Sequence, residues 1–74
     1  MAERFVHPDF STGDIELRFE NGEVCVYVTN DGLEKLISFC QSLRKIEGTE
    51  HLHLADYAVL TKASLTGVIA RFDT

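Results

Sequence analysis

His51 and His53 are the residues of this chain whose spacing best suits chemistry. An H-x-H pair on a strand sends both imidazoles to one side, as zinc and iron sites often require. Asp56 would add a third ligand if the strand bends after His53. The plainer reading is two solvent-facing histidines that meet a partner, since the only other histidine, His7, lies far away in sequence and the two cysteines lack metal spacing. The expectation is therefore no metal and no cofactor, with a small metal- or ligand-binding protein built on His51, His53 and Asp56 as the alternative. Asp14 and Glu16 are a second candidate, as an acid/base pair. That role requires surroundings that drive two carboxyl pKa values apart, and the neighbouring residues suggest no such pocket. Ser38 and Ser64 have no evident base, and the five glycines are scattered rather than gathered into a phosphate-binding loop. The chain is expected not to be an enzyme.

The elements that must position these residues are organised around Asp14 to Gly48. Asn21-Gly22 joins two alternating runs, and both residues tolerate the positive φ of a type I′ turn. With Glu20 and Glu23 closing the turn, Phe19 faces Val24, Leu17 faces Val26 and Ile15 faces Val28, so six apolar side chains share one face, which calls for burial. Arg18 with Cys25, Glu16 with Tyr27 and Asp14 with Thr29 form the polar face. An amphipathic helix is expected from about Asp31 to Ile46. Asp31 and Glu34 resemble a capping box, and Thr29 and Asn30 are alternative caps. Leu33, Leu36, Ile37, Phe39, Cys40, Leu43 and Ile46 form its apolar stripe. Arg44 and Lys45 suit the negative end of the helix dipole, and Gly48 suits a left-handed stop.

Arg4 to His7 reads as a short edge strand or arm, because Pro8 interrupts any ladder. Glu50 to Leu54 alternates as a half-buried strand, with Leu52 and Leu54 inward and the two histidines outward. Ala55 to Lys62 fits either a turn over the core or a bent strand. Thr66 to Phe72 alternates again, with Val68, Ala70 and Phe72 on one side and Ile69 and Arg71 on the other. The fold class that follows is α+β: a two-layer β-β-α-β-β sandwich with one helix on a mainly antiparallel four-stranded sheet. Phe19, Val26, Leu36, Cys40, Leu54 and Val68 are its expected core.

Seventy-four residues suit a single small domain, 1–74, of marginal stability. A hydrophobic content of 45% excludes a disordered chain, and no apolar run approaches the ~20 residues of a membrane span. The net charge of −5, without a Lys/Arg cluster, argues against nucleic acid and anionic membranes and permits a basic protein partner. The opening residues lack the charged and apolar sections of a secretory signal, so a cytoplasmic location is expected. Cys25 on a strand's outer face and Cys40 on the helix stripe are expected to stay thiols.

Glu23 to Thr29, the helix Leu33 to Ile46, His51-Leu52-His53-Leu54, and Ser64 with Val68 to Phe72 occur in an order that resembles the immunity protein 32 family of bacterial polymorphic-toxin systems. The likeness covers about two thirds of the chain. It implies a non-enzymatic protein that binds and neutralises a toxin, and it supplies no established binding residues. The residues themselves point to the sheet face opposite the helix as a protein-binding surface: Glu16, Arg18, Tyr27, Ile69 and Arg71, with His51 and His53 beside it. Aromatic and Arg side chains among polar ones suit an interface. A homodimer through that face would pair Glu16 with Arg18 or Arg71 across a twofold axis.

Overall fold

A computed structural model of the chain describes residues 6–72. Arg4 and Phe5 of the expected arm lie outside the described residues, and His7 belongs to no regular element. β1 (Ile15–Glu20) and β2 (Glu23–Val28) pair in the register that a two-residue loop dictates, from Glu20 with Glu23 to Ile15 with Val28. Asn21 and Gly22 take φ of 53° and 77°, as the turn type requires. α1 (Asn30–Lys45) starts one residue earlier than Asp31, because Thr29 is its N-cap and accepts a 3.0 Å hydrogen bond from the Gly32 amide. Its first turn is tied to β1: Thr29 Oγ1 donates to Asp14 Oδ1 at 3.1 Å, and Lys35 pairs with the other carboxylate oxygen. Ile46 closes the helix, and Gly48 takes a φ of 82°.

β3 (Glu50–His53) runs into a single 3-10 turn, Leu54–Tyr57, and pairs antiparallel with β4 (Val68–Arg71). The class is α+β, but the four strands do not form one sheet. They form two separate two-stranded sheets, β1-β2 and β3-β4. The cause lies in the end of the ambiguous segment Ala55 to Lys62 and the residues that follow it. Residues 59–65 run along the outer edge of β1, where Val59 O accepts from Ile15 N at 3.0 Å, Thr61 N donates to Ile15 O at 2.8 Å and Leu65 N donates to Leu17 O at 2.9 Å. Ser64 Oγ takes the Leu17 amide at 2.7 Å. With that edge occupied, β4 does not extend the first sheet at β1 and pairs with β3.

The core is correspondingly displaced. Leu43, Leu52 and Leu54 are its buried centre, and Leu17, Phe39, Leu60 and Ile69 pack around them. Ile15 and Val59 are buried as well. Of the six expected core residues only Leu54 is buried; Leu36 is half-buried, Cys40 is exposed, and Phe19, Val26 and Val68 are 66%, 51% and 53% exposed. The first hairpin is covered near Ile15 and left open towards its turn. Its apolar face, which calls for burial, is covered for only part of its length. β4 has the opposite phase from the one expected: Ile69 pairs with Leu52 and faces the core, while Val68 and Ala70 face out beside the histidines.

Candidate functional site

The outward face of the β3-β4 hairpin carries the histidines. In the ladder His51 stands opposite Ala70 and His53 opposite Val68, and all four are exposed. Alternation along β3 puts Leu52 inward, which fixes both imidazoles outward as the sequence implies. Their rings meet edge to face with centroids 5.1 Å apart. Glu50 lies beside the pair, 3.7 Å from His51 Nδ1, and accepts from the His51 amide at 2.9 Å. Asp56 sits on the 3-10 turn and is exposed. Among the described residues no three His, Cys, Asp or Glu side chains come together as a metal site would need, so Asp56 does not complete the histidine pair. Calorimetric titration with zinc is expected to show no tight site; one stoichiometric site lost on changing both His51 and His53 would reverse this.

The other expected surface residues are engaged within the chain. Glu16 is buried, with 2% of its surface exposed. Thr61 Oγ1 donates to its Oε1 at 2.5 Å and the Arg18 guanidinium pairs with its Oε2. Arg18 reaches Glu20 at 3.5 Å and stacks over the Tyr27 ring, 4.8 Å from its centroid. Tyr27 donates to Glu20 at 2.6 Å, and this bond pushes its hydroxyl pKa up to about 12. Arg71 hydrogen-bonds the Gly48 carbonyl at 2.6 Å and approaches the Leu43 and Arg44 carbonyls at 3.4 and 3.5 Å, so it caps the C-terminus of α1. Glu16, Ile69 and Arg71 therefore support the surface from behind, and Arg18 and Tyr27 form a half-buried patch. His51 and His53 stand free of it.

Asp14 and Glu16 do not behave as an acid/base pair. The hydrogen bond from Lys35 lowers the Asp14 pKa, and the Thr61 hydroxyl, with Arg18 behind it, lowers that of Glu16, so both remain anionic. A carboxyl whose pKa falls on folding contributes stability above its unfolded value and loses it as pH drops through the folded one. Wild-type stability should therefore decline as pH falls below ~4.3, the ordinary glutamate value, and Glu16→Gln should flatten part of that decline. Urea titrations between neutral pH and pH 3 compare the two; equal slopes would mean that the Thr61 contact does not hold in solution.

The feature missed by sequence reasoning is an apolar groove of about 440 Å³ between the two hairpins. Leu17, Phe19, Val24 and Val26 form one wall, Leu36 lines it from the helix, and Leu65 with Val68 forms the other. Val68 belongs to both surfaces, because it is the ladder neighbour of His53. The signal was present in the sequence as excess: six apolar residues on the hairpin and seven on the helix are more than one thin layer can bury. No protein-family model, curated protein or solved structure matches this chain. Among the described residues no helix is long and apolar enough to cross a membrane.

Proposed function

We propose that this chain is a non-enzymatic protein-binding module, an immunity-type protein that binds and neutralises a toxin. The observation that carries the reading is the continuity of the exposed histidine pair with an open apolar groove through Val68. An apolar patch rimmed by polar side chains is the anatomy of a protein interface, where an anchor fills the groove and the rim fixes orientation. The chain's charge of −5 suits a basic partner and would speed its approach. The order of hairpin, helix, H-x-H-L and closing strand agrees with the resemblance to immunity protein 32. In this reading His51, His53 and Val68 meet the partner, Arg18 reaches the groove's rim with Tyr27 behind it on the hairpin's other face, and Glu16, Ile69 and Arg71 hold these in place.

The test is co-expression with the product of the neighbouring gene. That product should arrest growth alone and be harmless with this chain. Changing His51 and His53 together to alanine should weaken the complex at least tenfold, about 1.4 kcal/mol, without unfolding the exposed strand face. Protection that persists unchanged in the double variant would remove the histidine face from the site, and growth arrest despite co-expression would remove the function.

A further inference from the structure

On β3, His51 and His53 leave the same face two residues apart, which places their Cα atoms about 6.5–7 Å from one another. The ring centroids have closed to 5.1 Å. A metal about 2 Å from one nitrogen of each ring, with its two bonds between a right angle and the tetrahedral angle, sets the centroids about 4.5–5 Å apart. The imidazoles therefore need to turn but hardly to move, and little side-chain freedom is lost in bringing both to one ion.

Both histidines are exposed, and among the described residues no hydrogen bond ties up a ring nitrogen of either. Glu50 Oε1, 3.7 Å from His51 Nδ1, supplies a negative charge beside the pair. The ladder partners Ala70 and Val68 are uncharged, and the cation of β4, Arg71, is bound to the Gly48 carbonyl at 2.6 Å. The net charge of −5 further favours the approach of a cation.

We infer that His51 and His53 chelate one copper(II) ion, each through one ring nitrogen, with water in the remaining positions. Two nitrogens leave a zinc tetrahedron half empty, so zinc finds no tight site here. Copper(II) differs. It heads the affinity series of the divalent first-row metals and accepts a tetragonal set of nitrogen and oxygen donors, so two imidazoles and water suffice. Nickel(II) should bind the same pair less tightly. The imidazoles cannot hold copper and meet a partner at once, so copper should displace a partner seated on this face. The chelate itself belongs to the free chain and stands or falls without that contact.

Titration of the full chain with copper(II), read by electron paramagnetic resonance and by competition with a chelating dye, tests this. One ion per chain is expected, with the hyperfine pattern of two coordinated imidazole nitrogens. His51→Gln and His53→Gln should each lower the affinity roughly tenfold or more, because either change turns a two-point attachment into a single one. Both alter exposed side chains and should keep the circular dichroism of the wild type. His7→Gln, which removes the remaining histidine, should leave the affinity unchanged. A copper site that keeps full affinity after either single change, a spectrum with one coordinated nitrogen, zinc held as tightly as copper, or no binding at micromolar copper would each overturn the inference.

Discussion

Leu54→Ala should cost about 2–5 kcal/mol and leave little folded protein at room temperature. Leu54 is 3% exposed, lies where β3 turns into the 3-10 helix, and clusters with Leu43 and Leu52, against which Leu17 packs. Its amide is held by the Gly67 carbonyl at 2.9 Å, which limits how far the backbone can move into the space a truncation opens. A cavity term is then added to the transfer term. With five buried apolar side chains among the described residues, the core has little reserve to absorb it. Leu36→Ala should cost much less, because Leu36 is half-buried in the groove wall. Urea titration of both variants decides the matter: equal losses would mean that the groove is closed in solution and Leu36 belongs to the core.

Gly32→Ala should destabilise the fold by about 2 kcal/mol or more, against the usual gain of ~1 kcal/mol when a helical glycine becomes alanine. A Cβ there would stand 2.3 Å from the Asp14 carbonyl oxygen and 3.2 Å from the Val28 side chain. The first is backbone, fixed by its hydrogen bond from the Thr29 amide at 3.1 Å, and cannot swing aside. Gly32 is thus where the first turn of α1 seats on the start of β1. Thermal unfolding of the variant gives the answer, and a melting temperature at or above that of wild type would show that the helix is not seated there.

Local structure was legible where a short-range rule has one solution. Asn21-Gly22 admits one register, and Thr29, among the residues offered as caps, took the role. Outward histidines follow from Leu52 facing in. The phase of β4 was not legible, because Val68, Ala70 and Phe72 look as apolar as Ile69 does, and only pairing with Leu52 selects between the two faces. Arg71 reads as a surface charge until the helix carbonyls it caps are in place. The split into two sheets depends on residues 59–65, whose pairing with β1 passes partly through the Ser64 hydroxyl and leaves no alternation to read. The candidate site was legible in its histidines and not in its groove. Apolar excess announces that a surface is left over but not which strand carries it.

The most direct measurement is calorimetric titration of the full chain with the purified product of the neighbouring gene. One-to-one binding is expected, with a negative heat-capacity change from burial of the groove's apolar walls and an affinity that falls with salt. Binding with no heat-capacity change that is indifferent to Val68→Asp, or no binding at all, would contradict it.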